Sequence, residues 1–591
     1  MTANWTTGSG MSSSISSETD PSGGPGKTIR GPFSHNGKTI LSRDPSGQAE
    51  RIAENLNVTE KTLYLCPSPV YGYGLSSLLK KIKNNSAILC IEADKELYEL
   101  SINALKQFDE DKRLLLVKPD PNAPAQAAAE LCALVNKTWG SRTFRKVEVI
   151  RLTGGWQLFP ELYEKITAAL REEIAVSWSN AMTLIRLGRL YIRNTIRNLA
   201  LLRDTQDEAS QNGQAGHSFS DISALDFGAD PVLVLGAGPG MDIMLDELTN
   251  TFVKCGFTGT RPFRIICADT CLPSLKERGV KPDLAVVLES QHWNLRDFLN
   301  VRDWKVQAAI DLSALPASVK ILGGGIFFFM TPWTNLSLFS RLEQSGLLPP
   351  ALTPLGSVGL TATELALRIS RGPVVTAGID FSFTIDAYHA RSSPGHLARL
   401  AAANRFKSLL NAETAFRDGV FTTISKTGNP VRSDPALRNY RDMFENEFSS
   451  EDRIYEMEGP GLSLGINKLN PEQAVRLLTM NAAVPVNFKK PRNETIPNDL
   501  LTVRKSNHQS ETTDIESFFQ KEINYLLKLR SVLTGEITVQ PVDLDELLDT
   551  CDYLYAHFPE CAAVSKRPPC TDIGFLKRVR MEIDPFLKLW N

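Results

Sequence analysis

A glycine-rich turn is the part of the sequence with the clearest capacity for chemistry. It covers residues 236–240, follows the apolar stretch Val232–Leu235 and precedes residues with helical spacing. Glycines in this context let backbone amides approach a phosphate. A dinucleotide fingerprint would place a third glycine at position 241, where the chain has Met241, so NAD and FAD are not favoured. We expect a different nucleotide to bind here; the alternative is a turn that only packs a strand against a helix. The binding residues would be Gly236, Gly238, Pro239 and Gly240.

Polar residues follow the next two strand candidates, Arg264–Ala268 and 284–288. Because ligands collect at the carboxyl ends of parallel strands, we expect these residues to converge with the glycine turn. A carboxylate there can accept hydrogen bonds from ribose or sugar hydroxyls, or help to hold a divalent cation beside a diphosphate. The alternative, for Thr270 and Ser290 in particular, is that the residue caps the following helix. The residues are Asp269, Thr270, Glu289, Ser290 and Gln291, with His292 next to them.

A loop at 356–367 enters a helix candidate that is rich in small and hydroxyl residues. Ser357 fits the N-cap position, and Thr361 and Thr363 could present hydroxyls to a ligand. Close packing of the helix on a sheet explains the small residues equally well.

His389 attracts the most interest among the seven histidines. It follows the strand candidate Val374–Ala377, beside Tyr388 and downstream of Asp380. Histidine titrates near neutrality, so it can take a proton from an acceptor hydroxyl or give one to a leaving phosphate. We therefore predict a catalytic group of His389, Tyr388 and Asp380. A structural role is the alternative, and His396 is the competing histidine, at what resembles a helix start.

The first half of the chain repeats this pattern in a weaker form. Glycines lie in a turn at 68–75 after the strand candidate 62–66, and Glu92 and Asp94 follow Ala87–Ile91. A methyltransferase that binds S-adenosylmethionine shows the same combination of early glycines and a later acid. We favour a scaffold, because this half lacks a further cluster of candidate catalytic groups.

Strands alternate with helices in two regions, which predicts an α/β protein with two Rossmann-like domains built on parallel sheets. Helical periodicity is nearly unbroken over 159–203, and the chain becomes helix-rich after 468. The predicted parts are a disordered leader (1–34), an N-terminal α/β domain with a long helix (35–203), a linker (204–221), a central nucleotide-binding domain (222–465) and a helical C-terminal domain (466–591).

Composition excludes several classes of partner. With 65 basic and 67 acidic side chains, the formal charge is -2, which does not favour nucleic acid or an anionic membrane surface. The nine cysteines are scattered and are typical of reduced, buried thiols. No apolar run is long enough to span a bilayer and no secretion signal is evident, so the expected location is the cytoplasm. Whether the chain forms a homo-oligomer stays open.

The order of the short motifs resembles the motility accessory factor (Maf) family of flagellin glycosyltransferases, including its spirochaete relatives. The central region also resembles hydroxymethylpterin diphosphokinase-like proteins. The resemblance implies that a nonulosonic acid, a sialic-acid-like sugar, moves from its CMP-activated donor to Ser or Thr of flagellin, and that the central domain is sialyltransferase-like. The matching segments are 71–74 with Ile91 and Glu92, 236–239, Ala268 and Asp269 with 278–283, Glu289, 356–358 with Thr361 and Ala362, and 378–382 through His389 and Ala390.

The resemblance also implies roles for the candidate residues. The glycine turn, Asp269 and Glu289 would hold the nucleotide, Tyr388 or Ser357 would stabilise the leaving phosphate, and His389 would accept the hydroxyl proton. Two positions depart from the family: Gly240 and Met241 stand where many relatives have Ser and Leu, and Glu289 stands where relatives usually have Asp. The donor nucleotide and any Mg²⁺ requirement therefore stay open. The alternatives are a pterin diphosphokinase that uses ATP, the methyltransferase, and a non-enzymatic flagellin-binding assembly factor.

Overall fold

The structure is a computed structural model that describes residues 32–83, 85–212, 219–255, 261–410, 412–479, 515–563 and 567–590. Most of the predicted leader (1–31), part of the predicted linker (213–218) and residues 480–514 of the predicted C-terminal domain lie outside these ranges. The chain divides into two compact units. Unit 1 comprises residues 1–186 and 557–568, and unit 2 comprises residues 187–556 and 569–591.

The elements follow one another in an α/β order along most of the chain. The strands are β1 (Phe33–His35), β2 (Lys38–Leu41), β3 (Thr62–Pro67), β4 (Ala87–Ile91), β5 (Leu114–Val117), β6 (Lys146–Val149), β7 (Phe219–Asp221), β8 (Val232–Leu235), β9 (Arg264–Ala268), β10 (Leu284–Val287), β11 (Val306–Asp311), β12 (Gly323–Phe329), β13 (Val374–Ala377), β14 (Phe421–Ile424), β15 (Pro430–Ser433), β16 (Ile454–Met457) and β17 (Asn467–Leu469). The helices are α1 (Pro45–Asn55), α2 (Leu75–Lys81), α3 (Lys95–Leu105), α4 (Pro124–Trp139), α5 (Pro160–Asn212), α6 (Gly240–Cys255), α7 (Leu272–Glu277), α8 (Pro316–Leu322), α9 (Ser337–Gln344), α10 (Val358–Ile369), α11 (Pro394–Ala402), α12 (Ala412–Ala415), α13 (Pro435–Phe448), α14 (Pro471–Thr479), α15 (Ile515–Thr534), α16 (Pro541–Thr550), α17 (Pro559–Ala563) and α18 (Ile573–Trp590).

Unit 1 is built on a parallel sheet with strand order β5-β4-β3-β6. Every residue of β3 and β4 is buried, as expected when helices cover both faces of a parallel sheet. Alternate residues serve the two faces: Leu63 and Leu65 pack in a cluster with residues of α4 and α5, while Tyr64 and Cys66 pack in another with residues of α1 and α2. The predicted α/β class is confirmed for this half.

Helix α5 is 53 residues long, which agrees with the periodicity predicted over 159–203. Its first part, to residue 186, belongs to unit 1, and its remainder belongs to unit 2. In unit 2 its buried face includes the polar residues Asn194 and Asn198, which contribute to the candidate site described below.

Unit 2 contains a sheet with strand order β17-β16-β13-β8-β9-β10-β11-β12-β7, in which all neighbouring strands are parallel. From β8 the chain adds β9 to β12 on one side, and it then returns to place β13 on the other side of β8. The boundary between β8 and β13 is therefore the point at which strand order reverses, and open α/β sheets bind ligands in the crevice outside such a point. The predicted parallel-sheet domain is confirmed.

Apolar residues on both faces hold this sheet in place. Val232 and Val234 of β8 lie in one core cluster with Leu360 and Leu365 of α10. Their neighbours in β8 point to the opposite face and are also completely buried. The ends of β8 and β13 are consequently fixed by packing on two sides, which gives the loops that leave them a rigid base.

The C-terminal helices α15 and α18 pack together in unit 2 around the buried Trp590, whose ring lies 4.9 Å from that of Phe519. Arg341 of α9 forms a bidentate ion pair with the buried Glu522 of α15, with Nε–Oε1 at 2.7 Å and Nη2–Oε2 at 2.9 Å. The predicted helical character of this region is confirmed. No helix in the part of the chain that the structure describes is long and apolar enough to cross a bilayer.

Candidate functional site

The glycine turn after β8 lies directly against the loop that leaves β13. The amide of Gly238 donates to the Gly378 carbonyl oxygen at 2.8 Å. A Cβ at Gly238 would overlap Asp380 Oδ2 and lie 2.7 Å from the Gly378 oxygen. Gly378 itself has φ 72°, and a Cβ there would overlap the Gly236 carbonyl. The glycines are required because two backbone segments approach each other more closely than any side chain allows.

Asp380 holds the turn where α6 begins. Its buried carboxylate accepts the Gly240 amide at 2.7 Å through Oδ2, a favourable place for a negative charge at the start of a helix. Burial raises the pKa of Asp380, and the charge of Lys426 acts in the opposite direction. Lys426 is itself buried and paired with Glu456 at 2.9 Å. Asp380, predicted as a catalytic residue, therefore lies behind the turn as part of its support.

The remaining amides at the start of α6 also bond within the protein. The Met241 amide donates to the Gly238 carbonyl at 3.0 Å, and the Asp242 amide donates to the Pro239 carbonyl at 3.1 Å. A phosphate at this turn would thus compete with the carboxylate of Asp380 and with backbone carbonyls for the same donors. Its negative charge has to be met by other groups nearby.

His389 lies beside the glycine turn, in the loop that leaves β13. The amide of Ala390 donates to the Ala237 carbonyl at 2.9 Å, and the Tyr388 and His389 rings meet edge to face at 4.6 Å. Burial lowers the pKa of His389 to about 4; the charges of Arg399 and Arg296 act in the same direction, and a hydrogen bond with the Ala237 backbone acts against it. The imidazole is therefore neutral at physiological pH, which is the form that takes up a proton, and the lowered pKa makes it a weaker base than an exposed imidazole.

The loop that carries His389 is held in a strained shape. Phe381 (φ 48°) and Ser392 (φ 64°) adopt the left-handed conformation that non-glycine residues rarely take, which persists only when the surroundings enforce it. Arg391 supplies part of that enforcement, since its amide donates to Asp242 Oδ2 and its guanidinium donates to Asp246 Oδ2, both at 2.9 Å.

The competing histidine, His396, has a role in local structure. It lies in the first turn of α11, where its amide donates to Ser393 Oγ at 3.3 Å and its Nδ1 accepts the Ser392 amide at 3.1 Å. These bonds close the turn that follows the His389 loop. His396 consequently offers a matched control for experiments on His389.

A buried carboxylate pair lies at the ends of β9 and β10. Asp269 Oδ1 accepts the Thr270 amide at 2.8 Å, and its Oδ2 accepts Asn294 Nδ2 at 3.0 Å. The Thr270 hydroxyl lies 3.3 Å from Asp269 Oδ1 and 3.1 Å from Asp297 Oδ2. Burial raises the pKa of Asp269 to about 7, and the neighbouring Asp297 adds to the increase. The Thr270 hydroxyl has a single proton and can donate to only one of the two carboxylates at a time. This geometry suits a carboxylate pair that carries one extra proton near neutral pH.

Asp297 and Asn294 escaped the sequence analysis because they lie inside a short 3-10 helix, His292–Phe298, rather than at a strand end. The apolar residues of this stretch do not follow a period that would have predicted which side chains point inward. Asp297 Oδ1 is buried without a hydrogen-bond partner and lies 3.6 Å from Arg296 Nε.

The residues predicted after β10 have different environments. Glu289 is exposed, and its Oε1 accepts the Gln291 amide at 2.9 Å. Ser290 is buried, and its carbonyl accepts Asn194 Nδ2 at 2.9 Å. Gln291 immediately precedes the 3-10 helix and is half-buried. Asn194, which the sequence analysis missed, thus fixes the exit of β10 from 96 positions away.

Asn198 acts in the same way one helical turn later. Its Nδ2 donates to the carbonyls of Leu312 at 2.9 Å and Ala314 at 3.0 Å. Both asparagines point from α5 into the loops at the carboxyl ends of β10 and β11. They therefore stabilise the edge of the sheet on which the candidate site is built.

The hydroxyl residues of α10 bond within their own helix. Ser357 occupies the N-cap position but its side chain makes no capping bond. Thr361 Oγ1 donates to the Ser357 carbonyl at 3.3 Å, and Thr363 Oγ1 donates to the Gly359 carbonyl at 2.9 Å. Both threonines are completely buried, an arrangement that suits close packing of α10 on the sheet.

The corresponding edge of the unit 1 sheet is closed. Glu92 is buried, accepts Ser68 Oγ at 2.6 Å and accepts the Asp94 amide at 3.0 Å. Asp94 caps α3 and lies 3.0 Å from His35 Nε2. The β1–β2 hairpin buries Ile40 in a cluster that includes residues of the glycine-containing turn. Glu92 and Asp94 are the acids that a methyltransferase would need to bind a ribose, and here both are hydrogen-bonded to protein groups. This favours the scaffold interpretation.

Within the described residues, no group of three or more histidine, cysteine, aspartate or glutamate side chains could hold a metal ion. The divalent cation considered from the sequence stays a prediction, because Mg²⁺ beside a nucleotide is usually held by one or two carboxylates together with phosphate oxygens.

Known proteins resemble this chain in sequence and in fold. Residues 205–386 match a family model described as MptE-like, 6-hydroxymethylpterin diphosphokinase MptE-like. A protein of Treponema pallidum (strain Nichols), described as an uncharacterized protein, is 27% identical over 567 residues, which are 94% of this chain and 93% of that protein. The solved structure of MAf glycosyltransferase from Magnetospirillum magneticum AMB-1 has a TM-score of 0.51 and 14% identity, and the match covers 92% of this chain and 83% of that chain. The predicted resemblance to Maf and spirochaete proteins is thereby confirmed, and the structural similarity establishes a shared fold.

Proposed function

We propose that this chain is a cytoplasmic glycosyltransferase that moves a nonulosonic acid from a CMP-activated donor to Ser or Thr of flagellin. The observation that carries the proposal is the position of the neutral His389 imidazole beside the glycine turn, at the switch point of the parallel sheet. The fold shared with a Maf glycosyltransferase over 92% of the chain supports it.

The proposed step is a displacement at the anomeric carbon of the sugar. The acceptor hydroxyl oxygen forms a bond to that carbon while the bond from the carbon to the phosphate oxygen breaks, so the configuration inverts and CMP leaves with the electron pair. His389 takes the hydroxyl proton as general base. The Tyr388 hydroxyl is assigned to the departing phosphate, since its ring contacts His389 at 4.6 Å.

The carboxylate pair is assigned to the donor nucleoside. Asp297 Oδ1 is a buried acceptor without a hydrogen-bond partner, and we assign to it a hydroxyl of the donor ribose. Asp269 supports this geometry through Thr270, which lies within 3.3 Å of both carboxylates. This arrangement needs no metal ion to hold the sugar of the nucleoside.

The test is transfer to purified flagellin, followed by intact mass. His389→Ala should reduce transfer by about 10²- to 10⁴-fold, the usual contribution of a general base, and should still bind CMP. His396→Ala, in the same loop region, should retain most of the transfer. Undiminished transfer by His389→Ala would show that the base is misassigned.

A deletion strain separates an enzyme from an assembly factor. Flagellin from the strain should lose a glycan-sized mass, and the wild-type gene should restore it while the His389→Ala gene should not. If both genes restore flagellin function and neither changes its mass, the chain is a non-enzymatic flagellin-binding factor.

The match of residues 205–386 to the MptE-like model favours one second candidate, a 6-hydroxymethylpterin diphosphokinase. Such an enzyme would bind ATP and move a diphosphate to the hydroxymethyl group of a pterin. Calorimetry with CMP and with ATP distinguishes the two, because a transferase for CMP-activated sugars should bind CMP in preference to ATP. Formation of AMP and a pterin diphosphate would establish the second candidate.

A further inference from the structure

An apolar stretch directly after the His389 loop is exposed rather than packed. Of the nine residues of α11, all of which the structure describes, only Pro394 is buried. Leu397 and Leu400, which are three positions apart and so share one side of the helix, are 39% and 45% exposed. A helix of a globular protein normally buries its apolar side, so nothing among the described residues gives α11 the cover that its leucines call for.

The residues that follow α11 present further apolar side chains. Asn404 and Lys407 exchange backbone hydrogen bonds at 2.9 and 3.1 Å, and the Phe406 amide donates to Asn404 Oδ1 at 2.9 Å. Phe406 therefore stands at the tip of a closed turn and is 84% exposed, and Leu409 and Leu410 are also exposed. We call residues 397–410 the apolar segment. Exposed apolar side chains occur singly on an ordinary surface, and a group of them marks an interaction site.

Helix α11 is also a wall of the candidate site. A Cβ at Gly395, in its first turn, would lie 2.7 Å from His389 Cδ2, and the Arg399 guanidinium lies 5.5 Å from the centroid of the Tyr388 ring. These two helix positions face the site, whereas the two leucines lie on the solvent side. A helix with its side chains is about 10–12 Å across, and an extended chain advances about 3.3 Å per residue. A polypeptide that lies across α11 thus reaches His389 within about four residues.

The charge of the apolar segment distinguishes between the partners that could cover it. Residues 387–412 contain four basic side chains and no acidic one. Arg405 is exposed, and its guanidinium lies 4.4 Å from the centroid of the Phe406 ring, so a positive charge accompanies the apolar surface. A two-fold interface between copies of this chain would use the same patch twice and place like charges opposite each other. An acidic, partly apolar polypeptide has the complementary character.

We propose that the apolar segment binds the polypeptide acceptor next to its reactive Ser or Thr, with the leucines and Phe406 packing on apolar side chains and Arg405 meeting an acidic residue. The inference rests on the proposed function and adds the part of this chain that recognises the acceptor protein. Contacts remote from the reacting atoms hold substrate and transition state equally, so they lower KM without raising kcat. The segment should therefore determine the KM for the acceptor and leave donor binding unchanged.

The experiment measures transfer to purified flagellin as a function of flagellin concentration, at saturating donor. Leu400→Ser and Phe406→Ser remove apolar contacts. Val542→Ser in α16 and Met581→Ser in α18 are the matched controls, because the side chains that they replace are 67% and 75% exposed. Each of the first two variants should raise the KM for flagellin about tenfold, with kcat nearly unchanged, and both controls should keep the wild-type KM. CMP binding and Tm should be equal in all five proteins.

Arg405→Gln tests the contribution of charge. The wild-type KM for flagellin should rise with salt concentration, because salt screens pairs between exposed charges. That rise should be smaller in Arg405→Gln.

Three outcomes contradict the proposal in different ways. Equal KM in the wild type, both segment variants and both controls would overturn the inference and leave the proposed function intact. If Leu400→Ser then turns a wild-type dimer into a monomer in sedimentation velocity, or abolishes binding to phosphatidylcholine–phosphatidylserine vesicles, the segment serves a second copy or a membrane surface instead. A wild-type enzyme that binds CMP but transfers nothing to flagellin would overturn the proposed acceptor, and the inference with it.

Discussion

Gly238→Ala should break the contact between the glycine turn and the loop after β13. The new Cβ would overlap Asp380 Oδ2 and lie 2.7 Å from the Gly378 oxygen. If both loops stay in place, overpacking costs about 1–3 kcal/mol or more. If Asp380 turns away instead, the buried Gly240 amide loses its charged acceptor, at a cost of about 1–3 kcal/mol. On either route the free energy of unfolding falls by up to about 3 kcal/mol.

The loss is measurable by thermal unfolding and by hydrogen exchange. A change of about 3 kcal/mol lowers Tm by about 4 °C for a unit as large as unit 2, and exchange of the Gly240 amide should accelerate. Gly459→Ala is the matched control, because it lies beside the same turn and its Cβ would meet nothing closer than the Gly240 Cα at 3.8 Å. That variant should be neutral or stabilised by about 0.4–1 kcal/mol. Equal stability of the two variants would refute the close-approach explanation of the turn.

Three further predictions concern buried polar groups. Burial raises the pKa of Asp269 to about 7, so its contribution to stability is fully present below pH ~4 and is lost as pH rises through 7. Asp269→Asn should remove this pH dependence, because Asn does not titrate and the Asn294 amide can flip to keep a hydrogen bond with it. The free energy of unfolding measured in urea should then change less between pH 4 and 8 than in the wild type. Glu522→Gln should destabilise the C-terminal helices by about 3 kcal/mol, the low end of the range for a broken buried pair, because the half-buried Arg341 loses its charged partner; Glu522→Leu combined with Arg341→Met should recover much of this in denaturant unfolding. Asn198→Ala leaves two loop carbonyls without their shared donor and should cost about 1–3 kcal/mol by calorimetry, whereas no change would assign those carbonyls to water.

Part of the site follows from local patterns. Continuous apolar runs identified β8, β9, β10 and β13, and the parallel arrangement then required that the residues after them share one edge of the sheet. The contact of His389 with the glycine turn is a consequence of this rule, although the 150-odd residues between them contain no direct signal of their pairing. The rule works because strand ends are fixed by the burial of their own side chains.

The residues that the sequence did not predict depend on contacts between distant segments. Asn194 reaches the Ser290 carbonyl over 96 positions, and Lys426 enters the core behind Asp380 from the loop that joins β14 and β15. Each is a polar residue on an otherwise ordinary helix or hairpin, and only the packing of that element shows that its side chain is buried. Burial of polar groups with partners from far along the chain is therefore the class of information that a single sequence withholds.

The two sheets show why a glycine turn is an incomplete guide to function. In unit 1, β6 lies beside β3 in the way that β13 lies beside β8, and a turn with left-handed Gly72 and Gly74 follows β3. There, however, Ser68 and Glu92 bond to each other and the β1–β2 hairpin covers the edge. In unit 2 the turn is equally filled by protein groups, but the neutral imidazole of His389 stands beside it. The glycines thus mark the place where strand order reverses and two loops must touch, while a neighbouring group that can still take up a proton distinguishes the turn in unit 2 from the turn in unit 1.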